Sequence, residues 1–300
     1  MKIKIILFLL SLLFINSCDK NNNETESKQE AISLPKINSQ KQLNISILID
    51  LSDRLVQQVI PTAKDRDIAI MQTITQLFSQ NMEAKGVFRS KDKIKILFNP
   101  VPEDPQINKI AQALNIDLST LDSKQKKLVH DNIKTSFNSN LDNIYNLTLE
   151  SRKWVGSDIW RFFKNDVKDY CIDTNPDYRN ILVILTDGYI YHEQSKDKIK
   201  NRTSFITGGY LEQEGFRNNN NWQKKFENGD YGLISHAQDL KSLEVLILEV
   251  NPSASHKNDE DIIKAFLTKW FREMNVLKFQ IYNTDLPSNT TQRIVNFFNN

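Results

Sequence analysis

The chain has 300 residues, of which 39% are hydrophobic and 25% charged, and this is the composition of a globular protein. Sixteen Phe, eight Tyr and four Trp supply ample apolar area for a core, which excludes disorder throughout, and eight Gly and eight Pro are too few for a collagen-like chain. The net charge is +2, and loss of Lys2 and Lys4 with the leader described next leaves 37 basic against 37 acidic residues, so composition gives no support for a broad nucleic-acid surface.

The first 17 residues have the pattern of a signal peptide. Lys2 and Lys4 give a positive start, and the apolar run 5–15 has eleven residues, against about 20 in a membrane-spanning helix. The run ends in Ile-Asn-Ser-Cys, which resembles the lipobox of bacterial lipoproteins, where the Cys thiol takes a diacylglycerol and its freed amine an acyl chain. We therefore expect a lipoprotein signal peptide over 1–17 and lipidation at Cys18, with a plain secretory signal as the alternative.

A polar tract rich in Asn, Glu, Lys and Ser follows over 18–40. It has almost nothing to bury, which is typical of a flexible tether that lifts a folded domain off a membrane. We expect a protein of the bacterial cell envelope, lipid-anchored to the inner or the outer membrane. With Cys18 acylated, Cys171 has no disulfide partner.

From residue 41 the chain alternates short apolar runs with helical patterns. Continuous apolar runs suit strands that are covered on both faces, and therefore a parallel sheet. The order predicts an α/β fold over 41–300, with a doubly wound, mainly parallel sheet flanked by helices. Two long stretches, about 101–150 and 189–242, are predicted to be insertions. The strand runs are 44–49, 93–98, 181–186, 243–250 and 278–282, and the helical patterns are 67–81, 259–274 and 289–298.

Two of the predicted strands end in an acidic residue. Asp50 and Ser52 follow the first strand, Asp187 follows the third, and Ser157 lies on a segment between them. In an open parallel sheet, ligands bind beyond the carboxyl ends of the strands, so these side chains are expected to converge. Carboxylates with neutral hydroxyls are hard oxygen ligands, which favour Mg²⁺ or Mn²⁺.

This pattern resembles the von Willebrand factor type A (VWA) domain. That family carries Asp-x-Ser-x-Ser after its first strand, a Thr or Ser on a middle loop, and an Asp, often followed by Gly, after its fourth strand; together these form the metal-ion-dependent adhesion site. Asp50 and Ser52 match the first motif, Ser157 matches the hydroxyl loop, and Asp187 with Gly188 matches the last. The resemblance implies a VWA-like fold and an Mg²⁺ or Mn²⁺ ion whose open position accepts a carboxylate from a protein partner.

One position departs from the family pattern. Arg54 stands where the first motif has its second Ser, so a permanent cation replaces a hydroxyl. Either Arg54 points away and a water fills the gap, or its guanidinium lies between Asp50 and Asp187 and substitutes for the metal. Thr148 is the alternative to Ser157 as the loop hydroxyl.

Further residues are expected beside the site, and some have structural interpretations. Asp53, Arg54, Asp158 and Gly188 adjoin the predicted ligands in sequence. Asp158 is better explained as the N-cap of the aromatic helical segment that follows it.

Enzyme motifs are missing from the sequence. It has no GxGxxG, GxxxxGK[ST], HExxH or GxSxG, and its four His residues do not combine into a catalytic set. A haloacid-dehalogenase-like phosphatase would use Asp50 as its nucleophile, but it needs a second carboxylate where this chain has Ser52. We therefore expect a non-catalytic, lipid-anchored module that binds a protein partner in the envelope and no nucleic acid. The alternatives are a phosphoesterase-like hydrolase and a scaffold or assembly factor with a vestigial site.

Overall fold

The computed structural model describes residues 41–154, 156–217, 219–236, 238–252, 256 and 258–300. The predicted signal peptide, Cys18 and the whole predicted tether therefore lie outside the described residues. The strands are β1 (Gln42–Ile49), β2 (Lys93–Leu97), β3 (Ile116–Asp117), β4 (Tyr178–Leu185), β5 (Lys198–Ile199), β6 (Arg202–Thr203), β7 (Gly232–Leu233), β8 (Leu243–Val250) and β9 (Lys278–Asn283). The helices are α1 (Ala63–Lys85), α2 (Pro105–Ala113), α3 (Ser123–Ser151), α4 (Ile159–Asn165), α5 (Val167–Cys171), α6 (Gly208–Gln213), α7 (Trp222–Asn228), α8 (Asp259–Glu273) and α9 (Pro287–Asn299), with 3-10 turns at Asp53–Val56 and Leu118–Thr120. Within this described part of the chain, no helix is long and apolar enough to cross a membrane.

The central sheet has six strands in the order β3-β2-β1-β4-β8-β9. All neighbouring pairs are parallel except β2 and β3, which pair in antiparallel fashion at one edge. Each of the five apolar runs that the sequence predicts as strands lies in this sheet. A mainly parallel sheet flanked by helices is thus confirmed.

Two cores lie on opposite faces of the sheet, because successive side chains of a strand point to opposite sides. Ile47 and Ile49 of β1 pack with α1, α2, α3 and α9, whereas Leu48 packs with α4 and α8 on the other face. Strands covered in this way need apolar residues at every position. This explains why β1, β4 and β8 are almost entirely buried.

The two stretches predicted as insertions are built into the packing of the domain. Most of 101–150 forms α2, β3 and α3, and α3 packs against α1 and contributes Phe137, Leu141 and Ile144 to the first core. The stretch 189–242 forms α6, α7 and the small sheet β5-β6-β7, and β7 contacts α8. The stretch 101–150, polar and mostly helical in its sequence pattern, forms helices, and α3 buries one narrow face.

Candidate functional site

Asp50 and Asp187 lie at the same edge of the sheet, directly beyond the carboxyl ends of β1 and β4. The two strands are neighbours and are paired up to Ile49 and Leu185. The link continues past the strands, because the Asp50 amide donates to the Leu185 carbonyl at 3.0 Å and the Thr186 hydroxyl donates to Asp50 Oδ2 at 2.9 Å. The sequence-predicted carboxylates are therefore brought together by the register of the parallel pair.

The loop after β1 folds back onto Asp50. The Ser52 amide donates to Asp50 Oδ1 at 2.8 Å, and Ser52 is the N-cap of the 3-10 turn that follows. Asp53 is exposed, whereas Asp50 and Ser52 are buried. A cleft of about 490 Å³ opens over this loop. It is lined by Ser52, Asp53, Gln57, Val59, Gly156, Ser157, Asp187, Tyr189, Tyr191, Asn251 and Pro252.

Asp187 is a buried carboxylate that accepts hydrogen bonds from neutral groups. Its Oδ1 accepts from the Tyr189 amide at 3.0 Å, and its Oδ2 accepts from Gln57 Nε2 at 3.2 Å. Burial, and next the charge of Asp50, raises the pKa of Asp187 to about 7. Among the described residues, no Lys, Arg or His forms an ion pair with Asp50 or Asp187.

Ser157 enters the cleft from the segment before α4. Its backbone pairs with Tyr191 in both directions, at 2.8 and 2.9 Å. Its Oγ is buried and has no hydrogen-bond partner within the described part of the chain. Gly156 is required just before it, because φ is +84° and a Cβ would lie 2.2 Å from the Tyr191 carbonyl oxygen. The alternative hydroxyl, Thr148, lies outside the cleft and donates to the Ile144 carbonyl of its own helix at 2.8 Å.

Of the two arrangements that the sequence suggested, Arg54 follows the first, because its guanidinium points away from the two carboxylates, into the protein towards α1. Its guanidinium is buried and forms an ion pair with Asp67 of α1, which also accepts a hydrogen bond from the Tyr145 hydroxyl at 2.6 Å. Its Nε donates to the backbone carbonyl of Asp50 at 2.7 Å. Arg54 therefore neither reaches solvent nor lies hydrogen-bonded between the two carboxylates. Through these two contacts Arg54 links the backbone of the Asp50 loop to α1.

Gln57 is a side chain near Asp187 that was not predicted from the sequence. Its Nε2 donates to Asp187, and its Oε1 accepts from Asn251 Nδ2 at 3.0 Å. Thr186 was missed as well, although it directly precedes Asp187 and Gly188 in the sequence and could have been found there. Gln57 and Asn251 carry no sequence signal, because both lie in irregular segments 194 residues apart.

Asp158 and Gly188 support the site from outside. Asp158 caps α4 by accepting from the Arg161 amide at 3.1 Å, as expected, and its other oxygen accepts from the Ser195 hydroxyl at 2.5 Å. This ties the Ser157 segment to the chain that follows β4. Gly188 has φ +96°, and a Cβ there would lie 2.9 Å from Ile263 Cγ2, so this sharp turn also requires glycine.

Of the four predicted ligands, Ser52, Ser157 and Asp187 line the cleft, whereas Asp50 is buried, hydrogen-bonded to the Ser52 amide, and does not line it. No group of three or more His, Cys, Asp and Glu residues that could hold a metal occurs in the described ranges. Any ion bound here would thus depend on neutral hydroxyls and water for its remaining ligands, which Mg²⁺ tolerates because it retains several waters.

Comparison with known proteins gives only distant likenesses. No family model matches the chain, and no curated protein matches it. A solved structure of proximal thread matrix protein 1 from the mussel byssus is 8% identical, with a TM-score of 0.40 over 86% of this chain and 48% of that one. The pilus adhesin SpaC from Lactobacillus rhamnosus GG, in its open conformation, is 10% identical, with a TM-score of 0.38 over 88% of this chain and 30% of that one. The chain thus spans less than half of either protein, and these likenesses assign no family.

Proposed function

We propose that this protein is a non-catalytic binding module with a VWA-like fold, which holds Mg²⁺ or Mn²⁺ in the cleft and engages a protein partner. In this proposal Cys18 anchors the module by lipid to a membrane of the bacterial cell envelope. One observation carries the metal proposal: Asp50 and Asp187 are buried side by side with no cationic side chain of the described residues paired to either.

The electrostatics of the carboxylate pair favour a bound cation. Burial, and next the negative charge of Asp50, raise the pKa of Asp187, so the charged form of Asp187 is disfavoured where it lies. A divalent ion would relieve this repulsion, and Arg54 does not compete for the position because its guanidinium is paired with Asp67.

The neutral groups of the cleft also fit this ion. Buried hydroxyls are nearly always hydrogen-bonded, so the unpartnered Oγ of Ser157 suggests a ligand atom whose partner is an ion or its water. Asp50, Ser52, Ser157 and Asp187 would hold the ion, which would supply a positive charge for a carboxylate of the partner. Gln57 donates to Asp187 and would orient its carboxylate.

Titration calorimetry of the purified full chain with MgCl₂ and MnCl₂ tests the proposal. We expect one site in the wild type, a loss of at least tenfold in affinity for Asp187→Asn, and a smaller loss for Ser157→Ala. The matched control is Asp177→Asn, because Asp177 is an exposed carboxylate at the opposite end of β4.

Two results would contradict this function. A wild-type protein that binds neither metal at millimolar concentration would remove the metal site. Turnover of generic phosphate esters that is lost in Asp50→Asn would favour the hydrolase instead.

A further inference from the structure

A second cavity, of about 380 Å³, adjoins the metal cleft at the same edge of the sheet. Gly156 lines both spaces, and Leu51 of the cavity directly precedes Ser52 of the cleft. The two spaces therefore share a wall, and one ligand could occupy both. The cavity is lined by Ile49, Leu51, Phe98, Asn99, Pro100, Pro102, Glu103, Asp104, Ile107, Thr148, Ser151, Lys153 and Gly156.

The residues that line this apolar cavity indicate which kind of ligand it can bind. Ile49, Leu51, Phe98 and Ile107 belong to or pack on the first core, so the cavity has an apolar floor. The polar groups around it already have partners. The Ser151 hydroxyl, like that of Thr148, donates to a carbonyl of its own helix, and Asp104 caps α2.

A polar metabolite would find few groups free to orient it here. An apolar side chain needs no polar group to orient it, provided that the rest of its molecule is bound elsewhere. The volume, within the lower range of ligand pockets, suffices for one large apolar side chain.

The surroundings indicate that the occupant belongs to a protein. Val101 lies between two prolines that line the apolar cavity and is 70% exposed. Ile60 follows Val59 of the cleft and is 98% exposed, and Val56 of the same loop is 53% exposed. These exposed apolar side chains are sequence neighbours of residues that line the two spaces, where a bound protein segment would cover them.

We propose that the apolar cavity receives a large apolar side chain of the same protein segment whose carboxylate is bound in the metal cleft. This inference rests on the proposed function. The partner is then recognised by an Asp or Glu with a Phe, Trp, Tyr, Leu, Ile or Met a few residues away.

A random peptide library displayed on phage and selected on the full chain in MgCl₂ tests this inference. We expect the selected peptides to carry both an acidic and a large apolar residue. Ser151→Trp, at the mouth of the cavity, should weaken binding of the synthesised peptide at least tenfold. Ser139→Trp is the matched control, since Ser139 is an exposed serine of α3 with the same kind of hydrogen bond to its own helix. Lys153→Trp, at a 76% exposed position, is the second variant should Ser151→Trp fail to fold.

The outcomes separate the two proposals. Replacement of the apolar peptide residue by Ala should weaken binding to the wild type and have little further effect on Ser151→Trp. Acidic peptides without an apolar preference, or binding unchanged in both tryptophan variants, would overturn the cavity inference and leave the metal site standing. Apolar peptides that bind equally well in EDTA and to Asp187→Asn would overturn the proposed function instead. A library that yields no binder overturns the inference as well.

Discussion

The raised pKa of Asp187 makes the stability of the metal-free protein depend on pH. Burial and the neighbouring Asp50 raise this pKa from the ordinary value of 3.8 to about 7. Between these two values the folded protein binds a proton that the unfolded chain has released. Stability therefore falls as pH rises from about 4 to about 7 and is not affected by this group outside that window.

The size of the effect follows from the window. Each pH unit within it lowers the free energy of unfolding by about 1.4 kcal/mol per titrating group. Between pH 5 and pH 8, about two pH units lie within the window. The titration of Asp187 should therefore lower the free energy of unfolding by about 3 kcal/mol over this interval. Asp187→Asn removes the titrating group, and we expect that part of the pH dependence to disappear with it.

Urea unfolding in EDTA at pH 5 and pH 8 measures this difference directly. Wild type and the control Asp177→Asn should both lose stability over the interval, and Asp187→Asn should lose about 3 kcal/mol less. MgCl₂ should restore much of the loss at pH 8 in the wild type, because an ion that binds only the folded state stabilises it. Equal pH dependence in wild type and Asp187→Asn would refute the electrostatic argument.

Two further predictions concern residues outside the proposed ligand set. Arg54→Ser leaves the buried carboxylate of Asp67 without its cation, so we expect a loss of about 3–5 kcal/mol in urea unfolding, which the double variant with Asp67→Asn should partly recover. Unchanged stability together with tighter Mg²⁺ binding would mean that the guanidinium faces the cleft. Cys18→Ser should move the protein from the detergent phase to the aqueous phase of a detergent partition, or leave its leader uncleaved. Wild-type mature protein found wholly in the aqueous phase would contradict the lipid anchor.

The parallel sheet was predictable because its central strands β1, β4 and β8 are buried on both faces. In a run such as 181–186, apolar residues do not alternate with polar ones. This pattern is typical of a strand that is covered by helices on both faces. The meeting of Asp50 and Asp187 then follows from topology alone, since parallel neighbours end at the same edge. The role of α3 was not predictable in the same way, because its buried face is a narrow stripe in a mostly polar sequence.

The environment of Arg54 could not be predicted from the sequence, for a different reason. Its direction depends on Asp67, 13 residues later, and on Tyr145 of α3, and both residues sit among the core positions of helices. Sequence places Arg54 in the first motif but does not say which of several carboxylates it will meet. A buried guanidinium selects the partner that can satisfy it with paired hydrogen bonds, and Asp67 accepts from both of its terminal nitrogens.

This choice of partner has a consequence for the cleft. With Arg54 paired to Asp67, its guanidinium forms no ion pair with Asp50 or Asp187. Burial and the charge of Asp50 raise the pKa of Asp187, and the nearby charge of Arg54 opposes this only in part. The hydrogen bond from Arg54 to the backbone carbonyl of Asp50 fixes the loop. Arg54 therefore stabilises the shape of the loop and compensates the charge of the two carboxylates only in part. Since no described Lys, Arg or His forms an ion pair with either carboxylate, we expect the cation that balances them to come from solution, and the divalent-ion titration addresses this step directly.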